Sequence, residues 1–340
     1  MGLTTKGDHH EAVLTGGVGG WTDRCPGLRQ RYAANVIKLK YGHVERIEDP
    51  QHMFAERFAE RVRELTEGRV IIEIYPNAQL GQVAELIDGV QFGSVDMGHH
   101  VFASLGQVHQ DMPLFGLPYL FRDAAHGLRA TNPETSPLMV RLNQEMAERA
   151  GMRVIGCYTR GFRHLSTNFP VYGPDDLKGK KIRGVPLPMW TTLLKGMGAI
   201  PVPVAISEVP TALVTGLIVG QENPLGTMWS AKLYETQSHI MLTGHMMDLL
   251  PVFINEAVWN KISEKDRALI SQAIKETSDY TLAWAEEQDG EYMRLFREKG
   301  VTIIGEEDGL DNEAFKEAVL KQVREDFPEW AGYVDELQKL

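Results

Sequence analysis

Lys178-Gly-Lys-Lys-Ile-Arg183-Gly-Val-Pro186 decides how this chain folds, read with Gly161-Phe-Arg163-His-Leu-Ser-Thr-Asn168 before it and Gly220-Gln-Glu-Asn223-Pro224 after it. Arg183 ends a short strand pattern and is followed at once by Gly184, with Pro186 close behind. That order places its guanidinium at the C-terminal edge of a strand, which in open α/β sheets is where ligands bind. A planar guanidinium fork there suits a carboxylate, which it grips through two parallel hydrogen bonds. The expectation is a binding protein for a small organic acid.

Upstream, Val36-Ile-Lys-Leu-Lys-Tyr41 alternates as a strand does. Asp49-Pro50 reads as a helix cap with proline in the first turn, and Phe54, Phe58, Val62 and Leu65 follow at helical spacing until Gly68. Arg69-Val-Ile-Ile-Glu-Ile-Tyr75 is rich in β-branched residues, a strand closed by Pro76-Asn77. A second helix face (Val83, Leu86, Ile87, Val90) leads to a short strand, Ser94-Val-Asp-Met97. The product is β-α-β-α-β, half of a doubly wound sheet.

Met112 to Tyr119 reads as a packed apolar loop, followed by helical segments near 123–131 and 134–150 and a strand at Met152–Tyr158. The pattern then repeats. Lys180–Arg183 is a strand, Met189–Met197 a helix, Ile200–Val204 an extended run, Glu208–Thr215 a helix and Leu217–Val219 a strand. Residues 85–96 and 208–222 share a form: a helix carrying Glu, then Gly, a short apolar strand and a polar or acidic residue. This points to two similar lobes.

Ser238–Met247 is an extended stretch able to return the chain to the first lobe. Ser263-Glu-Lys-Asp266 resembles a capping box and opens a helix reaching about Lys299, roughly 50 Å at 1.5 Å per residue. Val301–Ile304 is a last strand, and a charged helix with Phe315, Val319 and Val323 completes the chain. The expected fold is α/β and two-lobed, each lobe a central sheet flanked by helices, with the long helix spanning both. Lobe I is expected to comprise 31–158 plus 248–285, and lobe II 159–247 plus 286–340.

The chain has 340 residues and a net charge of −11, which argues against a nucleic-acid partner but not against local positive charge in a site. No run approaches the ~18 consecutive apolar residues of a membrane helix. The two cysteines, Cys25 and Cys157, suggest no disulfide framework. Residues 1–30 are atypical: His9-His10 and Gly16-Gly-Val-Gly-Gly20 occur there, without the basic and apolar regions of a secretory signal. That segment is expected to be poorly ordered or draped on the surface.

No cofactor or metal motif is present. The run Gly16–Gly20 follows no strand, and the sequence lacks His-Glu-x-x-His, Cys-x-x-Cys and Gly-x-Ser-x-Gly patterns. His99 and His100 are adjacent, so on a continuing strand they face opposite ways. Arg183 is either a ligand anchor or a solvated strand arginine, and Arg163 has a salt bridge as its ordinary alternative. Asn223 is a turn residue or an amide aimed at a ligand oxygen. His43 and His100 are candidates to line the cleft from the first lobe, against structural roles. Trp190 is the tryptophan placed to wall a ligand; Trp229, Trp259 and Trp284 are core candidates by spacing.

At these residues the sequence resembles the solute-binding proteins of tripartite ATP-independent periplasmic (TRAP) transporters, of the C4-dicarboxylate-binding type. The likeness runs from about residue 36 to 335. It is carried by Thr66-Glu-Gly-Arg-Val70 with Ile74-Tyr-Pro76, Gln79-Leu-Gly81, Gly93-Ser-Val-Asp96 and Leu117-Pro-Tyr119. Arg163 with Thr167-Asn168, Asp176 to Arg183, Ser207-Glu208 with Ala212-Leu213, Gly220 to Pro224 and Tyr234-Glu235 continue it. The order and spacing of these pieces together are specific.

The resemblance implies two lobes, crossed by connecting strands and the long helix, that close over the ligand by a hinge motion. It implies that Arg183 grips the ligand carboxylate, that Arg163 adds a second positive contact, and that Asn223 adds a hydrogen bond. It also implies a periplasmic location, and small and large integral-membrane TRAP subunits that take the ligand using an ion gradient. Two residues depart from the pattern: Gly184 intervenes before Val-Pro, and Ile206 stands where many relatives have an aromatic before Ser-Glu. Dicarboxylates, sialic acid, sugar acids, keto acids and aromatic acids are all ligands of such proteins. The rival reading is an enzyme on a similar two-lobed fold acting on a carboxylic acid, for which Cys157 and the histidines are the available nucleophile and bases.

Overall fold

The computed structural model describes residues 36–340. The atypical N-terminal segment, with Cys25 and its expected surface placement, lies outside the described residues.

β1 (Ile37–Gly42) and β2 (Val70–Tyr75) pair in parallel from Ile37↔Val70 to Gly42↔Tyr75. The helix between them, α1 (Pro50–Leu65), begins as its sequence dictates. Asp49 is the N-cap and its Oδ1 accepts the Gln51 amide at 2.8 Å, while Pro50 sits where no N–H is needed. Phe54, Phe58 and Val62 are buried on one face of this helix. After α2 (Val83–Phe92), β3 (Met97–His99) joins the other side of β1 in parallel. Gly93 adopts the left-handed conformation (φ 78°), and the Val95 amide returns to the Gly89 carbonyl. Residues 94–96 therefore close the helix, and the strand starts at Met97 rather than Ser94.

Two short helices, α3 (Ala124–Ala130) and α4 (Pro137–Ala150), precede β4 (Met152–Thr167), which continues nine residues past the expected end at Tyr158. The second half then repeats the first: β5 (Lys181–Gly184), α5 (Pro188–Gly196), β6 (Ile200–Pro203), α6 (Val209–Val214) and β7 (Gly220–Asn223). β5 lies parallel between β6 and β7. The helix ending recurs as well. Gly216 has φ 72° and the Ile218 amide returns to the Ala212 carbonyl, so the strand begins at Gly220, not at Leu217.

After α7 (Leu225–Ser230), β8 (His239–Asn255) runs antiparallel to β4 along nearly its whole length and to β3 at its far end. The sheet order is β2-β1-β3-β8-β4-β7-β5-β6. Two parallel halves are thus joined through a pair of long strands. α8 (Glu256–Lys261) leads to α9 (Glu264–Glu298), a single helix of 35 residues, about 50 Å long, whose Ser263 cap accepts the Asp266 amide. It crosses β4 where Gly156 has no side chain; a Cβ there would overlap Ile274 Cγ2. β9 (Thr302–Ile304) pairs in parallel beside the start of β8, and α10 (Asn312–Asp326) and α11 (Ala331–Leu337) end the chain. Phe315 and Val319 of α10 belong to the same core as Leu193, Leu194 and Met197 around α5.

Candidate functional site

Both parallel halves present their C-terminal strand edges to one cavity of about 300 Å³. From the first half come Val44 and Glu45 beyond β1, the start of α2, and His100 and Val101 beyond β3. From the second come Arg183 and Val185–Leu187 at the end of β5, Ile206 before α6, and Asn223 at the end of β7. Arg160 and Arg163 of β4 complete it from the middle. This is the crevice at a topological switch point, formed twice and shared.

Arg163 and Arg160 are held by carboxylates. Arg163 donates from Nε to Glu222 Oε2 at 2.6 Å, from Nη2 to Glu222 Oε1 at 2.8 Å and from Nη1 to Asp248 Oδ1 at 2.5 Å. Its Nη2 also reaches Asn223 Oδ1 at 2.9 Å. Arg160 bridges Asp49 Oδ1 at 2.8 Å and Asp248 Oδ2 at 2.6 Å. Burial opposes both cations, but these carboxylates outweigh it and raise both guanidinium pKa values. Conversely Glu222, buried yet paired with Arg163 and bonded to His245, is brought down to about 2.

Arg183 is different. It is 2% exposed, and its Nε donates to the Val204 carbonyl at 2.8 Å. Among the described residues no carboxylate stands within salt-bridge distance of it. Burial pulls its guanidinium down to about 10, so it stays a cation at neutral pH. A buried cation without a partner is costly unless something supplies the missing charge.

The cavity gathers Arg183, Arg163, Asn223 and His100 as the sequence reading grouped them. Two expected lining residues are placed elsewhere. Trp190 is buried behind the cavity, its Nε1 donating to Glu222 Oε1 at 2.6 Å and Arg163 lying over its ring. His43 belongs to a histidine cluster under the first half, with Nε2 3.0 Å from His52 Nδ1 and its ring stacked on His99. Among the described residues no three potential ligands are placed to hold a metal. Arg163 takes the salt-bridge alternative in full.

Arg160 and Glu45 were missed. On a regular strand residues 160 and 163 face opposite ways, but the β4–β8 register shifts between Thr159 and Phe162, with Gly161 at φ 87°. That bulge turns both arginines to one face. Glu45 follows β1 in an irregular segment that carries no periodic signal.

A larger cavity of about 530 Å³ lies apart, between residues 128–135, β4 and α9. Of its charged residues, Lys275 is exposed and pairs with Asp279 at 2.6 Å. Cys157 lines this second cavity, where burial pushes its thiol up to about 12 and leaves it a poor nucleophile.

The model of bacterial extracellular solute-binding proteins, family 7, matches residues 41–329. A solute-binding protein of Roseobacter denitrificans is 33% identical over 293 residues, covering 86% of this chain and 89% of that protein. The 2,3-diketo-L-gulonate-binding periplasmic protein of Escherichia coli is 34% identical over 312 residues, covering 88% and 92%. Among solved structures, a TRAP periplasmic solute-binding protein from R. denitrificans with bound L-galactonate superposes with a TM-score of 0.80 at 31% identity, covering 90% of this chain and 99% of that one. Another from the same organism, with bound 3-deoxy-D-manno-oct-2-ulosonic acid, gives 0.82 at 26% identity, covering 89% and 99%.

Proposed function

The chain belongs to the family 7 bacterial extracellular solute-binding proteins, and on that premise we propose that it captures a polyhydroxylated monocarboxylic acid, a sugar acid, with Arg183 holding the carboxylate. It is a two-lobed α/β solute-binding protein of the TRAP type, not an enzyme. The observation that carries the ligand reading is Arg183 itself: a buried guanidinium fork, facing a cavity, with its Nε anchored and no carboxylate among the described residues paired to it. A ligand carboxylate supplies the missing charge through two parallel hydrogen bonds.

The rest of the lining supports a hydroxylated ligand body. Gln51, Gln82, Gln107, Asn223 and His100 each offer donor and acceptor capacity, as hydroxyl groups require. Two relatives carry sugar acids in their names, L-galactonate and 2,3-diketo-L-gulonate. Arg163, whose donors are largely committed to Glu222 and Asp248, contributes a positive field and at most one hydrogen bond. Asn223 contributes its amide.

Capture is a closure of lobe I (31–158 plus 248–285) on lobe II (159–247 plus 286–340), hinged at β4, β8 and α9. The closed protein then delivers its acid to the small and large membrane subunits of a TRAP transporter in the periplasm. Among the described residues no helix is long and apolar enough to cross a membrane.

Mass spectrometry of small molecules released from freshly purified protein identifies the ligand. A thermal-shift screen of aldonates, uronates, their amides and the neutral sugars checks the class, since a ligand of the native state raises the melting temperature by mass action. Shifts with acids and none with their amides are expected. Shifts with neutral sugars and none with any carboxylate would overturn the reading.

A further inference from the structure

Three carboxylates behind the cavity lining, Asp49, Asp248 and Glu222, are paired to Arg160 and Arg163. Two more line the same cavity as Arg183: Glu85, exposed in the first turn of α2, and Glu45, which is 7% exposed. Among the described residues the Glu45 side chain has no salt bridge and no hydrogen-bond partner. Its position is fixed from behind: the Glu45 carbonyl accepts the Asn77 amide at 2.9 Å, tying the segment after β1 to the turn after β2. A buried carboxylate that the protein leaves unpartnered has its partner in the ligand or stays neutral.

We propose that Glu45 sets ligand specificity: it takes hydroxyl groups of the ligand that Arg183 does not hold, and it rejects acids bearing a second carboxylate there. This rests on the reading of Arg183 as the carboxylate anchor. The charges around Glu45 explain the selection. Asp49 and Asp248 repel its anion from the β1–α1 segment and β8, while Arg160 of β4 and Arg183 of β5 attract it. Burial, with Asp49 beside it, pushes its carboxyl up to about 7. His100, beyond β3, is kept neutral by burial, which lowers it to about 3. When a ligand carboxylate neutralises Arg183, Glu45 loses one of its two attractions. A hydroxyl satisfies Glu45 whether it is ionised or protonated, by donating to the anion or accepting from the acid. A second ligand carboxylate satisfies only the protonated form and is repelled by the ionised one.

Three probes of one carbon length separate the possibilities: an aldonate (L-galactonate), the aldarate that differs by a terminal carboxylate in place of CH₂OH, and the neutral alditol. Calorimetry at pH 8 is expected to show the aldonate bound at least ~10-fold more tightly than the aldarate, as one like-charge repulsion in a partly buried site requires. At pH 5.5, where Glu45 is protonated, that preference shrinks. In Glu45→Gln it is expected to fall to within about threefold at both pH values, because the amide donates to a carboxylate as well as to a hydroxyl. Melting temperature reports that the variant folds; removing an unpaired buried charge does not lower it at pH 8. Equal binding of both acids by the parent at pH 8, or an undiminished preference in Glu45→Gln, overturns the specificity role while leaving the anchor intact. Binding of the alditol with neither acid bound overturns the Arg183 reading itself.

Discussion

The Nε of Arg183 donates to the main-chain carbonyl of Val204 at 2.8 Å. Arg183 pairs with Val202 in the β5–β6 ladder, so Val204 lies just beyond the strand edge and fixes one side of the fork from the backbone. The terminal amino groups are left for the cavity that Arg183 lines, where the proposed carboxylate would dock. Such preorganisation removes part of the ordering cost of binding. Lysine cannot reproduce it, since an ammonium is a compact, strongly hydrated point charge on a flexible stem. Arg183→Lys is expected to lose a charge-assisted hydrogen bond, about 1.5–3 kcal/mol, or roughly ten- to more than a hundredfold in Kd. Calorimetry with the ligand identified by mass spectrometry measures it. Near-parental affinity would show that Arg183 acts by charge alone.

Arg163 should respond in the opposite way. Its guanidinium closes a buried network with Glu222 and Asp248, and Trp190 and His245 add hydrogen bonds to Glu222. Arg163→Ala leaves buried Glu222 without its cation and Asp248 with Arg160 alone, at a cost of about 3–5 kcal/mol. The denaturation midpoint should fall clearly, whereas in Arg183→Lys it should hardly move. An Arg163→Ala protein as stable as its parent would mean that water, not the arginine, satisfies those carboxylates.

Two glutamates give the ligand-free protein opposing pH dependences. Glu222 is held at about 2, below the ordinary 4.5 of an unfolded chain, because Arg163 outweighs its burial. Its contribution is fully present above about 4.5 and is lost as pH falls toward 2. Glu45 is raised to about 7 by burial beside Asp49, so the folded state holds its proton more tightly than the unfolded chain. Its effect is a loss of stability as pH rises from about 4.5 through 7. Each is on the order of 3 kcal/mol by the linkage relation. Denaturant titrations from pH 3 to 8 should show the decline at the alkaline side flatten in Glu45→Gln. A parent curve without that decline would place Glu45 in contact with a cation.

Much of this was legible because it is local. Asp49-Pro50 announces its helix through cap chemistry, and Arg183 sits at a strand edge because Gly184 and Pro186 follow it. The returns at Val95 and Ile218 were not legible: each looks like strand by composition, yet its amide goes back to the preceding helix. Arg160 was hidden by the bulge at Gly161, which breaks the parity on which strand reading depends. Trp190 follows Arg183 closely but turns inward to Glu222, a contact across 32 positions that no spacing rule contains. Glu45 has no sequence signal at all; only the assembled cavity shows that its carboxylate lacks a partner among the described residues.

The remaining prediction concerns what holds the two halves together around the cavity. Asp49, between β1 and α1, accepts from Thr227 Oγ1 at 2.8 Å and Ser230 Oγ at 3.3 Å, both on α7 beyond β7. It also accepts from Arg160 while capping α1. One carboxylate therefore ties the first half to the second, outside the residues that line the cavity. Thr227→Val removes the shorter of the two hydroxyl ties, and with it the bond that Thr227 Oγ1 accepts from Arg160 Nη1 at 2.6 Å, without altering charge. A hydrogen bond to a charged group contributes about 1.5–3 kcal/mol, and part of that loss should fall on the closed arrangement. If only a fraction of the free protein is then closed, the apparent affinity drops by that fraction. A weakening of up to about tenfold is expected, with a larger radius of gyration by small-angle scattering in the ligand-free variant. Saturating ligand should restore the parental radius. Unchanged affinity together with unchanged scattering would show that Asp49 holds α7 only as part of the static core, and that closure depends on other contacts.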